Sequence, residues 1–215
     1  MKKVILAYGD SNTYGYIPKT QGRYNLSTRW TGILAELLKK NYTVIEEGCN
    51  NRTGFYKNSA GYMQSGNLYI EECLKKHPAP DIFILAVGTN DLQKLYDFNI
   101  KFFENGLMSY IEKIKEKNNN VRIILIPPVK ITKDILTSYF GLMFDEKSIE
   151  NAIVIQDTYV NFARNNNTEF FDINEFAHPS EIDGLHYEAE THKIIAEKLA
   201  EFITNPSYSS NQDLQ

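Results

Sequence analysis

Short apolar runs alternate along this chain with longer segments in which apolar residues recur at helical spacing. Residues 4–7 and 82–87 contain no polar side chain, which is typical of strands covered on both faces of a parallel sheet. Residues 28–40 and 99–117 instead carry apolar side chains at i, i+3, i+4 and i+7, the spacing of an amphipathic helix. The alternation predicts an α/β fold: a three-layer α/β/α domain around a mostly parallel, five-stranded sheet.

The same patterns predict the individual elements. The predicted strands are residues 3–8, 42–46, 82–87, 121–126 and 169–173. The predicted helices are residues 28–40, 66–76, 99–117, 145–165 and 188–204. Thr28 is expected to cap the first of these helices, and Leu37 and Phe102 are among the apolar side chains expected to face the core. A length of 215 residues suits one domain, placed at residues 1–206, with a polar tail at residues 207–215.

The net charge, the apolar stretches and the cysteines of the chain limit the partners and the cellular location that we expect for it. With 23 Lys and Arg against 27 Asp and Glu, the formal net charge is −4, which predicts neither nucleic acid nor an anionic membrane as a partner. No apolar stretch approaches the roughly 20 residues that span a bilayer, and the apolar run after Lys3 is too short for a signal peptide. Cys49 and Cys73 fit no metal motif. We expect a soluble cytoplasmic protein with two reduced thiols, a bridge between them being the alternative.

A serine directly after the first predicted strand is the first candidate for chemistry. Ser11 follows Gly9 and Asp10, at the edge of a parallel sheet where active sites form. A serine hydroxyl needs a neighbouring base to act as a nucleophile at neutral pH. The alternative is that Ser11 only caps a helix or turn that begins there.

An aspartate and a histidine near the C-terminus supply the remaining groups of a nucleophilic site. Asp183 precedes His186 by three residues, so its carboxylate can reach the imidazole, fix its tautomer and leave Nε2 to accept a proton from Ser11. The alternative is a pair that caps the last helix. His77, His178 and His192 are expected to serve only surface or packing roles.

An amide follows the third predicted strand, at the same sheet edge. Asn90, in the run Gly88-Thr89-Asn90-Asp91, can donate its side-chain N–H to a developing oxyanion, and the backbone N–H of Ser11 is a second donor. The alternative is a turn or helix-capping role for Asn90 or Asp91.

With these three segments, the chain resembles the SGNH (GDSL-type) hydrolase family, whose fold is flavodoxin-like, and within it the bacterial arylesterase and acyltransferase branch. The resemblance implies that Ser11, Asp183 and His186 are the catalytic residues. It also implies an oxyanion hole formed by Ser11, Asn51 and Asn90. Where the family commonly has glycine, this chain has Asn51; since the family uses a backbone N–H there, a side chain need not abolish the role.

The resemblance implies a serine esterase that hydrolyses short acyl or aryl esters, which are small-molecule substrates, without a cofactor. Transfer of the acyl group to alcohols is a further activity that the resemblance implies. Asp10, Asn12 and Arg52 are expected to contact the substrate, the alternative for Arg52 being a structural ion pair. A carbohydrate deacetylase or thioesterase with the same mechanism is an alternative. Another is a metal-dependent phosphoesterase, because Asp10, Asn90, Asp91, Asp183 and His186 are ligand types for a divalent ion; no metal site is predicted.

An aromatic segment at residues 130–145 follows the fourth predicted strand. Its length and apolar side chains suit a pocket lid or the interface of a homo-oligomer. A contribution to the buried core is the equally weighted alternative.

Overall fold

A computed structural model describes residues 1–77 and 79–205. The predicted tail at residues 207–215 lies outside the described residues, and the single domain at residues 1–206 stays a prediction. The strands are β1 (Lys3–Gly9), β2 (Tyr42–Gly48), β3 (Ile82–Ala86), β4 (Arg122–Leu125) and β5 (Glu169–Phe170). The helices are α1 (Ser11–Tyr14), α2 (Trp30–Leu38), α3 (Gly66–Lys76), α4 (Ile100–Lys117), α5 (Glu146–Asn165) and α6 (Ala189–Thr204).

The five strands form one parallel sheet in the order β2-β1-β3-β4-β5. Ile5 of β1 pairs with Val44 of β2 on one side and with Ile82 of β3 on the other. Helices α2 and α6 pack together, while α4 contacts both α3 and α5, so two groups of helices enclose the sheet. This architecture confirms the predicted three-layer α/β fold.

The core forms where the apolar strands meet the inner faces of these helices. Ile5, Leu6 and Ile84 are fully buried in the sheet, and Leu34 and Leu107 are fully buried on α2 and α4. Burial of such side chains stabilises each by about 1.5–3 kcal/mol relative to an exposed position. The strands are therefore held rigidly, and their ends provide fixed starting points for the loops of the candidate site.

Three expectations about the helices are wrong. Helix α2 begins at Trp30, and its N-cap position is Arg29, whereas Thr28 donates its hydroxyl to Asn25. Leu37 is 50% exposed, because the buried face of α2 includes Thr31 and Leu34 and leaves Leu37 on the solvent side. Phe102 is 40% exposed and packs on the ring of Tyr56 with centroids 4.4 Å apart.

The aromatic segment at residues 130–145 forms two short 3-10 helices, Lys133–Thr137 and Tyr139–Leu142. Ile135 is fully buried and Phe144 is 1% exposed, which confirms the core alternative for these positions. Phe140, between them, contacts a histidine of the candidate site described below. The segment is thus anchored in the core at two points and presents an aromatic ring between them.

In the part of the chain that the structure describes, no helix has both the length and the apolar character needed to cross a bilayer. Cys49 is half-buried, Cys73 is buried, and both are free thiols, as the simpler interpretation of the cysteines predicts.

Candidate active site

The parallel strands deliver the predicted residues to one edge of the sheet. Ser11 is the first residue of α1, directly after β1. Asn90 lies in the 3-10 helix Thr89–Leu92, which follows β3, the neighbour of β1. The carboxyl ends of neighbouring parallel strands meet at the same edge, so Ser11 and Asn90 approach each other across adjacent loops.

A chain of hydrogen bonds joins Ser11, His186 and Asp183. The Oγ atom of Ser11 lies 2.8 Å from Nε2 of His186, and Nδ1 of His186 lies 2.8 Å from Oδ2 of Asp183. All three residues are buried, with exposures of 7%, 1% and 3% in that order. The arrangement places a hydroxyl, a base and an orienting carboxylate in sequence, as nucleophilic catalysis requires.

The loop that carries Asp183 holds both side chains rigidly. The Oδ1 atom of Asp183 accepts the backbone N–H groups of Leu185 and His186, at 3.0 Å and 2.9 Å. Gly184 between them has a φ of +67°, and a Cβ there would lie 2.5 Å from the backbone nitrogen of Ile135. The turn therefore needs glycine. The N-cap residue of α6 is Glu188, so the alternative in which Asp183 and His186 cap that helix is wrong.

Two aromatic rings flank the imidazole. The ring of Tyr16 lies 4.2 Å from that of His186, and the ring of Phe140 lies 5.0 Å from it, centroid to centroid. The Tyr16 and Phe140 rings also contact each other, with centroids 6.0 Å apart. The rings restrict rotation of the imidazole and keep water from the Asp183–His186 hydrogen bond.

The Asn90 side chain is buried beside the loop that follows β2. Its Nδ2 donates to the carbonyl oxygen of Arg52 at 3.1 Å, and the second N–H of the amide remains for another acceptor. The N-cap position of the 3-10 helix is Gly88, with no side-chain cap, so the capping alternative for Asn90 and Asp91 is wrong. Gly88 has a φ of +111°, and a Cβ there would lie 2.6 Å from the hydroxyl of Tyr159.

Asn51 adopts the backbone conformation of a glycine. Its φ is +58°, in the left-handed region that asparagine tolerates better than other residues with a side chain. Its carbonyl oxygen accepts the Asn58 amide at 2.7 Å, while no described residue accepts its backbone N–H. The residue that stands in place of glycine therefore holds a left-handed backbone, and its N–H has no acceptor among the described residues.

The supporting roles of two residues, Asp91 and Gln93, were not predicted from the sequence. Oδ1 of Asp91 accepts the N–H groups of Phe55 and Tyr56, and Oδ2 accepts that of Gly54. Burial raises the pKa of this carboxyl to about 6, against these hydrogen bonds. Gln93 donates to both Asn51 and Asn90. The only signal for Gln93 is its position three residues after Asn90, on the same side of a helical turn.

The structure gives the Arg52 side chain, for which a substrate contact was predicted, a buried position between backbone segments. That side chain is fully buried and stacks on the ring of Tyr8 at 4.3 Å. The guanidinium donates to the carbonyl oxygens of Met63, Gly9 and Glu47. Among the described residues no carboxylate forms an ion pair with Arg52, so the alternative of a structural ion pair is wrong; its hydrogen bonds instead link the loop after β2 to the end of β1.

The structure gives Asp10 and Asn12 roles other than the predicted substrate contact. Asp10 is 4% exposed, accepts the Asn12 backbone N–H at 3.0 Å and so caps α1 in place of Ser11. Burial raises the pKa of the Asp10 carboxyl, against this hydrogen bond. The Asn12 amide donates to the carbonyl of Leu185 and accepts from Tyr187 N–H, at 3.1 Å and 3.3 Å. The Asn12 side chain therefore holds α1 against the segment that carries His186, whereas Asp10 fixes the start of α1.

The other histidines lie in the expected packing or surface positions. His192 is fully buried, and its Nδ1 accepts the Trp30 N–H at 3.3 Å. Burial lowers the pKa of His192 to about 4. His77 contacts Glu47 at 2.8 Å, and His178 is exposed.

The metal alternative required several carboxylates to converge. Within residues 1–77 and 79–205, no group of three His, Cys, Asp or Glu side chains is placed to hold a metal ion. The Asp91 carboxylate instead accepts the backbone N–H groups of residues 54–56 in the loop after β2, and Asp183 accepts N–H groups of its own loop. The described residues therefore give no support to the alternative of a metal-dependent phosphoesterase.

The match to known families agrees with this geometry. The model of the GDSL-like lipase/acylhydrolase family matches residues 5–199, and the chain belongs to that family. It is accordingly a carboxylic ester hydrolase.

Solved structures of esterases share the fold. A carbohydrate acetylesterase from Sinorhizobium meliloti has 26% identity and a TM-score of 0.83, covering 94% of this chain and 98% of that one. An aryl esterase from M. smegmatis has 25% identity and a TM-score of 0.83, with the same coverages. A lipase/acylhydrolase from Enterococcus faecalis has 18% identity and a TM-score of 0.66, covering 94% of this chain and 95% of that one. At that identity the similarity shows the fold alone. A search of curated proteins gives no match.

Proposed function

We propose that the protein hydrolyses short acyl or aryl esters through a covalent acyl-enzyme on Ser11. The observation that carries this proposal is the continuous hydrogen-bonded series from Ser11 Oγ through the His186 imidazole to Asp183. Each of its two distances is that of a formed hydrogen bond, so the base is already in place before substrate binds.

In the first half of the reaction, Ser11 Oγ attacks the ester carbonyl and its proton passes to Nε2 of His186. Asp183 holds Nδ1–H and stabilises the imidazolium. The N–H groups of Ser11 and Asn51 and the amide of Asn90 stabilise the oxyanion; a single donor of this kind contributes roughly 3–4 kcal/mol. His186 then returns the proton to the leaving alcohol.

In the second half, water or an acceptor alcohol attacks the acyl-enzyme. His186 accepts the proton of that water or alcohol and gives it to Ser11 Oγ as the bond between Oγ and the acyl carbon breaks. The acyl product leaves and the free enzyme is restored. No step uses a cofactor. Hydrolysis and transfer to an alcohol share this chemistry and differ only in which nucleophile reaches the acyl carbon.

Two observations favour a short acyl group. The side of the site that would hold the oxyanion carries the amides of Asn51 and Asn90, with Gln93 buried behind them, so this side presents polar groups to the acyl group. Among the solved structures with this fold are an aryl esterase and a carbohydrate acetylesterase, and the acetyl group named for the second is a short acyl group.

The experiment is hydrolysis of p-nitrophenyl esters, from acetate to a long acyl chain, by wild type and Ser11→Ala, with and without a chelator. We expect chelator-insensitive turnover, highest for short chains and lost in Ser11→Ala. Ser148→Ala is a matched control, because Ser148 is also buried but its hydroxyl bonds with Asp145 in the capping box at the start of α5. Turnover retained by Ser11→Ala, or abolished by the chelator, would overturn the proposal.

A further inference from the structure

We propose that Gln93 is a positioning residue of the oxyanion hole, which fixes the Asn90 amide and the Asn51 backbone in one arrangement. The inference rests on the proposed function, since it assigns the oxyanion to donors on these two residues. Gln93 would not touch the substrate and would act through its two neighbours.

One amide nitrogen joins the two donors. Nε2 of Gln93 lies 2.9 Å from Oδ1 of Asn51 and 3.1 Å from Oδ1 of Asn90. The side-chain NH₂ has two N–H groups, so it can serve both acceptors at once. Gln93 is 3% exposed, which excludes competing water, and hydrogen bonds in such surroundings hold their geometry more firmly than exposed ones.

For Asn90, these contacts decide which end of the amide faces the substrate. Oδ1 accepts from Gln93, and Nδ2 donates to the carbonyl of Arg52 at 3.1 Å. A half-turn of the amide would set its NH₂ against the Gln93 NH₂ and its oxygen against the Arg52 carbonyl oxygen. Both contacts would then be repulsive, so the remaining N–H of Asn90 stays available for the oxyanion.

For Asn51, the contact holds a residue that replaces glycine. The left-handed φ of +58° is less favourable for asparagine than for glycine. The bond from Gln93 to its side-chain oxygen helps to hold that conformation and hence the direction of the backbone N–H. The two donors come from loops 39 residues apart in sequence, and Gln93 sets their spacing.

Gln93→Glu tests the role most sharply. It keeps the size of the side chain but replaces the NH₂ donor with an acceptor, which favours rotation of the Asn90 amide away from the substrate. Because an oxyanion contact forms in the transition state, we expect kcat for p-nitrophenyl acetate to fall about 10- to 100-fold, with KM little changed. Gln93→Met, which removes the donor without adding charge, should lower kcat in the same direction and replaces Gln93→Glu if that variant does not fold.

A double-mutant cycle with Asn90→Ala separates positioning from general damage. Asn90→Ala alone should lower kcat by about 100-fold or more. In that background Gln93→Glu should add much less than its effect on wild type, because the group through which it acts is gone. Full additivity, or a rise in KM at unchanged kcat, would overturn the role of Gln93.

Gln156→Met is the matched control: Gln156 is also buried and donates to the carbonyls of Pro128 and Ala152. It should lower the midpoint of thermal unfolding without lowering kcat. Ser11→Ala in the same assay distinguishes failure of the proposed esterase function from failure of the inference about Gln93. An active Ser11→Ala overturns the proposed function, whereas an inactive Ser11→Ala beside a fully active Gln93→Glu overturns only the inference about Gln93.

Discussion

Nε2 of His186 lies 2.8 Å from Oγ of Ser11, although the two residues are 175 positions apart in the sequence. The sheet fixes Ser11 at the end of β1, and the Asn12 side chain ties α1 to the loop that carries His186. The distance between nucleophile and base therefore depends on the whole fold.

Asp183→Asn should lower kcat by about 10³- to 10⁴-fold with little change in KM. An amide NH₂ facing Nδ1 of His186 favours the tautomer that carries its proton on Nε2, and that nitrogen then cannot accept the proton of Ser11. The measurement is steady-state hydrolysis of p-nitrophenyl acetate.

Asp81→Asn is the control for this change, because Asp81 also accepts a backbone N–H, that of Val4 at 2.7 Å, away from Ser11. Its kcat should match wild type. If Asp183→Asn has the same kcat as this control, Asp183 does not orient the base.

Asn51→Gly and Asn51→Val should differ strongly. Glycine adopts the φ of +58° freely and keeps the backbone N–H, so we expect kcat within about 10-fold of wild type. A β-branched valine disfavours this conformation, and we expect a loss of about 100-fold or more. Equal kcat values for the two variants would show that the conformation of residue 51 does not matter to the reaction.

Tyr16→Ala should lower kcat by about 10-fold, since the ring 4.2 Å from His186 restricts the imidazole. Tyr16→Phe keeps the ring and should retain the wild-type kcat. Stopped-flow or steady-state assays of both variants with p-nitrophenyl acetate test the point. A loss in Tyr16→Phe equal to that in Tyr16→Ala would assign the effect to the hydroxyl group instead.

His192 should make the folded protein sensitive to acid. Burial lowers its pKa from 6.5 to about 4, so the unfolded state binds the proton more tightly. Stability is then fully present above about pH 6.5 and falls as the pH decreases toward about 4, by up to about 1.4 kcal/mol per pH unit.

The non-titrating variant His192→Asn, whose amide oxygen can replace Nδ1 as the acceptor for Trp30 N–H, should show a shallower decline. Urea unfolding of both proteins across this range measures the difference in slope. Parallel curves for the two proteins would mean that His192 does not contribute to acid sensitivity.

The fold could be predicted from the sequence because apolar residues recur with different spacing in its strands and its helices. The apolar run 82–87 and the helical spacing in residues 99–117 each specify an element without tertiary information. Leu37 and Phe102 were misplaced because burial at the edge of a helical face depends on which neighbour packs there. Tyr56, which covers Phe102, lies on a loop whose path has no periodic signal.

The arrangement of the candidate site could be predicted from the sequence only in part. Ser11, Asn90 and His186 were found because strand ends and the short Asp183–His186 spacing limit where such side chains can lie. The direction of the Arg52 side chain depends on the left-handed backbone at Asn51 and on carbonyl groups of three other segments. Gln93 likewise acquires its contacts only when two loops meet, which explains why its role was missed.

The most direct test of the account is covalent labelling of the nucleophile. Wild type, Ser11→Ala and His186→Ala would be treated with a p-nitrophenyl alkylphosphonate, and the adduct would be located by peptide mass spectrometry alongside release of p-nitrophenol. The account predicts one adduct per chain, on Ser11, formed much more slowly in His186→Ala and absent from Ser11→Ala. Inactivation with the adduct on another residue, or ester hydrolysis that persists after Ser11 is fully labelled, would contradict it.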